Sequence, residues 1–117
     1  MWRGFSIEQF VNQCFGNHHD LGKGRQMPIH YGSRDLNYMT IKSTLTSQML
    51  HAVGAAYAFK LKNRDQVTFC YFGDGAASEG KTSVLKEYLF IYSFIVGDAH
   101  AAFNFASVLN CPIIFFW

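Results

Sequence analysis

The sequence predicts an α/β fold, a parallel sheet with flanking helices. Three stretches carry that expectation. "QVTFCYF", Gln66 to Phe72, is β-branched and aromatic, as a buried strand requires. "DAHAAFNFASVLN", Asp98 to Asn110, places Ala99, Ala102, Phe103, Ala106 and Leu109 at helical spacing. "CPIIFF", Cys111 to Phe116, is a second apolar strand. Strand, loop, helix and strand make one βαβ unit of a parallel sheet.

The remaining elements follow in chain order. Ser6 is placed to cap a helix, Gln9 three residues later completes a capping box, and Phe5 is placed as a hydrophobic staple. Phe10, Val11, Cys14 and Phe15 then form a helical stripe, which Gly16 ends. Asn17 to Asn37 holds glycines, a proline and mixed charges, and reads as an irregular loop; one this long is uncommon in a compact domain unless it has a task. A second helix is expected to begin between Leu45 and Ser47 and to run to about Lys62. Its centre, "AVGAAYA", is nearly all small residues and predicts close helix packing. "KNRD" makes the turn into the first strand.

Composition bounds the function. The chain has 117 residues, enough for about one small domain, and half of it is apolar, too much for a disordered chain. The net charge of +2, with no basic stripe, argues against a nucleic-acid partner. Cys14, Cys70 and Cys111 are widely spaced and odd in number, so neither a disulfide framework nor a CxxC metal site is read, and buried reduced thiols are expected. The five histidines lack the paired i, i+4 spacing of a zinc helix; His18 and His19 read as solvated loop residues. "MWRGFSIEQF" lacks the apolar core of a signal peptide, and "YLFIYSFIVG" is about half the ~20 residues a membrane helix needs. No membrane partner is expected. The apolar, unturned ending "CPIIFFW" and the abrupt start in a helix predict a fold incomplete at both ends.

Ligands of parallel sheets sit at the carboxyl ends of the strands. "FGDGAASEG", Phe72 to Gly80, lies there, and three readings compete. A dinucleotide fingerprint fails, because the third glycine is due at Ser78. A nucleotide P-loop, "GAASEGKT" from Gly75 to Thr82, is formally complete, with Lys81 for the terminal phosphates and Thr82 for Mg²⁺. Against it, no second acidic strand end is present to hold the metal, since "CPIIFF" runs into Trp117. The third is a diphosphate–metal site at "GDG": Asp74 offers a carboxylate to Mg²⁺, bare glycines admit a diphosphate, and the following helix start adds a favourable dipole.

Four longer blocks favour the third reading. "DLGKGRQMPIHYG" (Asp20 to Gly32), "HAVGAAYA" (His51 to Ala58), "CYFGDGAASEG" (Cys70 to Gly80) and "DAHAAFNFASVLNCPIIFF" (Asp98 to Phe116) closely resemble the alpha subunits of mitochondrial branched-chain 2-oxo acid dehydrogenases. "GRQMPIHYG" is specific, since the related pyruvate dehydrogenases carry a "GGSMH"-like stretch there. In this family "GAASEG" runs directly into "DAHA". Here about seventeen residues, "KTSVLKEYLFIYSFIVG", separate them, so residues 81–97 read as an atypical insertion, of the kind a retained intron or a gene-model error leaves. Lys81 and Thr82 belong to it, which makes the P-loop match a product of the junction.

The resemblance implies the rest. The fold is part of a thiamine-diphosphate-binding domain spanning residues 1–117. The activity is oxidative decarboxylation of branched-chain 2-oxo acids with acyl transfer to a lipoyl arm, in branched-chain amino acid catabolism and in the mitochondrial matrix. The cofactors are thiamine diphosphate and Mg²⁺, and the family's corresponding loop binds K⁺. The partners are a beta subunit, in a heterotetramer, and a lipoyl-bearing transacylase core; the substrate is a small 2-oxo acid. Asp74 matches the Mg²⁺ ligand, Gly75 and Ala76 the diphosphate contacts, and Ser43 and Leu45 contacts near the aminopyrimidine, with Leu45 as the wedge that keeps the cofactor bent. Ser47 and Gln48 match K⁺ ligands. "KSTLTSQ" departs from the family's "SSPLATQ"-like loop: Lys42 replaces a serine ligand, which leaves two readings, an ammonium in place of the ion or a surface lysine, and Thr44 replaces a proline. His30 matches the family as an organiser of its loop. No residue of this chain matches a catalytic one. The Tyr-Arg diphosphate contacts, the Asn-Asn pair that closes the thiamine motif and the active-site histidine fall outside it, and one carboxylate alone does not define an octahedral Mg²⁺ site. The chain by itself is therefore expected to be inactive. The alternatives are a P-loop module and a non-catalytic piece that only associates with the partner subunit.

Overall fold

A computed structural model describes residues 3–78 and 98–117. The elements run α1 (Ile7–Phe15), α2 (Ser47–Leu61), β1 (Thr68–Tyr71), α3 (Asp74–Ser78), α4 (Asp98–Val108) and β2 (Ile113–Phe116). They divide between two compact units, Met1–Ser43 and Thr44–Trp117. The proposed insertion, 81–97, lies outside the described residues. Among the described residues no helix is long and apolar enough to cross a membrane.

The first unit is built on α1. Ser6 Oγ accepts from the Gln9 backbone N–H, and the Gln9 side chain accepts from the Ser6 N–H at 2.8 Å, closing the capping box. Phe5 staples onto Phe10 edge to face, with ring centres 4.6 Å apart. Gly16 ends the helix in the left-handed region, φ 59, where a side chain is disfavoured. The buried face of α1 differs from the expected stripe. Val11 and Phe15 are exposed, and Gln13 is buried. Gln13 sits three residues after Phe10 on the inner row, whereas Val11 and Phe15 form the neighbouring row; Cys14 of the expected stripe is exposed as well. Gln13 Nε2 donates to the Met27 carbonyl at 2.9 Å.

Asn17–Asn37 contains neither helix nor strand beyond one isolated bridge, Ser33 with Tyr38. It is nonetheless ordered by its own bonds. The buried Asp20 carboxylate accepts from the backbone N–H of Gly22 at 3.0 Å and of Gly24 at 2.7 Å, an Asx-type closure. Phe5, Phe10, Tyr31 and Tyr38 pack edge to face or tilted over the loop.

The second unit contains the βαβ pattern. β1 and β2 pair in parallel, with Cys70 opposite Phe115. Met49, Ala52 and Val53 from α2, Cys70 from β1, and Ala99 and Ala102 from α4 form its buried core. Small residues therefore do let α2 and α4 approach, though the space beside Gly54 is empty. Phe103, Phe115 and Phe72 close the edge of this core, with the first two 4.9 Å apart. Lys60 Nζ donates to the Leu109 carbonyl at 2.7 Å, satisfying an orphan acceptor after α4.

β1 is not the fully buried strand its composition predicts. Cys70 is buried, but Phe69 is 53% and Tyr71 70% exposed. Helices cover one face of the sheet. On the other, Tyr71 stacks on Phe116 at 4.8 Å and Phe69 on Phe116 at 5.8 Å. The cysteines also divide: Cys70 is buried, Cys111 is half-buried, and Cys14 is exposed against expectation, near the Tyr31 hydroxyl at 3.4 Å.

Candidate functional site

The sheet fixes where the GDG turn stands. The Phe72 N–H donates to the Phe116 carbonyl at 3.1 Å, the last bond of the parallel ladder. Gly73 follows at once, and Asp74 begins α3, whose first bond runs from the Ala77 N–H to the Gly73 carbonyl at 3.1 Å. Asp74, Gly75 and Ala76 thus lie together at the carboxyl end of β1. The buried Ala76 side chain anchors the short helix. The backbone N–H groups ahead of it have no intrahelical acceptor. Five residues of this helix, Asp74–Ser78, are described.

The two glycines of the turn are not explained by the fold. Neither has a positive φ. A Cβ placed on either would meet nothing within 4 Å among the described residues. What the glycines provide is bare backbone, clear of the described residues, on both sides of an exposed carboxylate. Asp74 makes no hydrogen bond or ion pair among the described residues. Such a turn fits a hard cation bound to a diphosphate: the carboxylate supplies one oxygen ligand, and the glycines let phosphate oxygens reach N–H groups.

The P-loop geometry does not form over the part that is described. A P-loop wraps its amides around a phosphate before its helix begins. Here Asp74–Ser78 is already helical, with no left-handed residue to make a nest. Gly80, Lys81 and Thr82 lie outside the described residues.

The other predicted residues lie, in sequence, just before and at the start of α2. Leu45 is 53% exposed. Ser47 and Gln48 open the helix and are half-buried. Between them Thr46 occupies the left-handed region, φ 69, while 3% exposed. A β-branched residue there is strained, and strain of this kind collects at binding sites. Nothing in the sequence pattern marks it. Ser43 closes the first unit; its Oγ lies 2.5 Å from His30 Nε2. A cavity of about 400 Å³ in that unit is lined in part by Gln13, Arg25, His30, Ser33 and Arg34. Lys42 is exposed.

Comparison with known proteins bears on the family. Residues 1–84 match the model of the dehydrogenase E1 component family. The chain belongs to the dehydrogenase E1 component family. Enzymes of this E1 family depend in general on thiamine diphosphate. The chain is 54% identical over 117 residues to the mitochondrial 2-oxoisovalerate dehydrogenase subunit alpha of Caenorhabditis elegans, covering 99% of this chain and 23% of that protein. The human protein of the same name is 52% identical over 116 residues, covering 99% and 22%. The alpha 2 subunit of Arabidopsis thaliana is 47% identical over 115 residues, covering 98% and 21%. This E1 chain therefore spans under a quarter of the length of these relatives.

Proposed function

We propose that the GDG turn is the magnesium–diphosphate end of a thiamine diphosphate site. The observation that carries the reading is the pair Gly73 and Gly75, which neither a positive φ nor packing among the described residues requires, around an Asp74 that has no partner among the described residues. Asp74 would ligate Mg²⁺, and the backbone at Gly75 and Ala76 would meet the diphosphate. Ser43 and Leu45 would contact the cofactor nearer its aminopyrimidine. Ser47 and Gln48 would hold K⁺, or the Lys42 ammonium would take the place of that ion. When bound, thiamine diphosphate supplies an electron sink for decarboxylation; this chain's residues bind and orient it.

The whole protein is then read as the alpha subunit of a branched-chain 2-oxo acid dehydrogenase of the mitochondrial matrix. It would work with a beta subunit and a lipoyl-bearing core on small 2-oxo acids. The names and the 47–54% identity of the relatives support this. A single carboxylate and no catalytic residue support inactivity of the 117-residue chain alone. Release of CO₂ from 3-methyl-2-oxobutanoate by the purified chain would contradict that. Residues 81–97 are read as an insertion. A transcript that always contains those codons, with peptides confirming the frame, removes the retained-intron origin.

A thermal-shift comparison tests the ligand. Mg²⁺ with thiamine diphosphate should raise the melting temperature of the chain and of its Lys81→Ala variant alike. A shift produced by Mg·ATP and abolished by Lys81→Ala would return the site to a nucleotide.

A further inference from the structure

The loop between α1 and α2 ends in a backbone-paired turn whose register is set closely. Ser33 and Tyr38 exchange both backbone bonds, at 2.7 and 2.9 Å. The Ile41 N–H donates to the Tyr31 carbonyl at 3.1 Å. Between these pairs Gly32 faces Thr40 so closely that a Cβ would stand 2.7 Å from the Thr40 Cα and 2.8 Å from its nitrogen. Both obstacles are backbone, so any side chain at residue 32 would force the two arms apart. Just beyond the Tyr31–Ile41 bond, His30 meets Ser43, one position further along than strict continuation of that pairing would bring, with Nε2 and Oγ 2.5 Å apart. This meeting is built by the backbone; the two residues are thirteen positions apart in sequence.

We propose that His30 is a positioning residue for the cofactor contact at Ser43. The inference rests on the reading that Ser43 touches thiamine diphosphate. A serine hydroxyl has one donor and two acceptor directions, and an exposed one rotates freely among its rotamers. Ser43 is exposed, yet its oxygen is held by the imidazole. In either sense of the bond, one direction is committed to His30 and those left over are fixed in space. Ser43 thus meets a ligand already oriented, and little rotamer freedom remains to be lost on binding. Gly32 acts at one remove, by allowing the pairing that puts His30 there. His30 makes no contact with the reacting atoms in this account; it acts through Ser43.

Calorimetric titration of the chain with thiamine diphosphate in excess Mg²⁺ tests this, in the wild type, His30→Ala, Ser43→Ala, the double variant and His30→Gln. The Gln amide nitrogen can take the place of Nε2. Each alanine should weaken binding by about three- to tenfold, the double variant no more than either single one, and His30→Gln should restore affinity. The ¹⁵N resonances of the His30 ring, read without ligand, should move on Ser43→Ala. A Ser43→Ala loss that His30→Ala does not share, additive losses, or ring resonances indifferent to Ser43 would each overturn the positioning role and leave the cofactor reading standing. No binding by the unsubstituted chain contradicts the cofactor reading itself, and the positioning role falls with it. If His30→Ala does not fold, His30→Gln against Ser43→Ala decides: the first must bind as the wild type does and the second must not.

Discussion

Phe72 donates its backbone N–H to the Phe116 carbonyl, and with that bond the parallel ladder stops one residue short of Gly73. The relationship fixes the site. The sheet holds the chain up to Phe72, and beyond it Gly73, Asp74 and Gly75 stand clear of the core. Weakening the sheet should therefore weaken the site, whereas changing its outer face should not.

The two faces of β1 and β2 can be separated by mutation. Phe115 belongs to the helix-covered side and touches Phe103 and Phe72. Phe115→Ala should cost about 2–4 kcal/mol by urea unfolding. Phe69→Thr, on the 53% exposed face, should cost under ~1 kcal/mol. Equal losses would mean that the outer face is covered in solution.

Asp20 should matter more than a loop residue ordinarily does. Its carboxylate satisfies two backbone N–H groups, those of Gly22 and Gly24. Asp20→Ala orphans both and should cost roughly 2–3 kcal/mol, again by urea unfolding. Asp20→Asn retains one acceptor oxygen and should lose less.

The thiols should react in order of exposure: Cys14 first, Cys111 next and Cys70 last, as followed by mass spectrometry after timed alkylation. Burial also raises the Cys70 thiol above its ordinary value of 9.0. The unfolded chain then loses its proton first as pH rises. Folding stability contributed by the protonated thiol is complete below pH 9.0 and declines as pH climbs through the folded-state value. Cys70→Ser or Cys70→Ala should flatten that alkaline decline. An unchanged slope would remove Cys70 as its source.

Lys42 offers a test of the ion. If its ammonium stands in for K⁺, the wild-type melting temperature should be the same in sodium and potassium buffers. Lys42→Ser should then create a potassium-dependent rise. Strong potassium dependence of the wild type would contradict the substitution.

The local elements were legible because their causes are local. Ser6, Gln9, Phe5 and Gly16 each act within one or two turns of α1, and the structure realises all four. The βαβ order was legible from the change of apolar period between Gln66–Phe72 and Asp98–Asn110. Exposure of Phe69 and Tyr71 was not, because strand composition cannot say how many layers cover a sheet. The left-handed Thr46 and the His30–Ser43 meeting were not legible either. The first defies the preference of its residue type. The second depends on a register that Gly32 permits only through its fit against Thr40, a long-range fact. At the GDG turn the residues could be singled out from sequence alone; that no described residue comes within 4 Å of a Cβ on either glycine needed coordinates.

The most direct measurement is the magnesium dependence of thiamine diphosphate affinity in wild type, Asp74→Asn and Asp74→Glu, by calorimetry. Asp74→Glu keeps a hard anionic oxygen and should bind within a few-fold of wild type; Asp74→Asn should lose about tenfold or more and with it most of the benefit of added Mg²⁺. Affinity and magnesium dependence that survive Asp74→Asn unchanged would contradict the account.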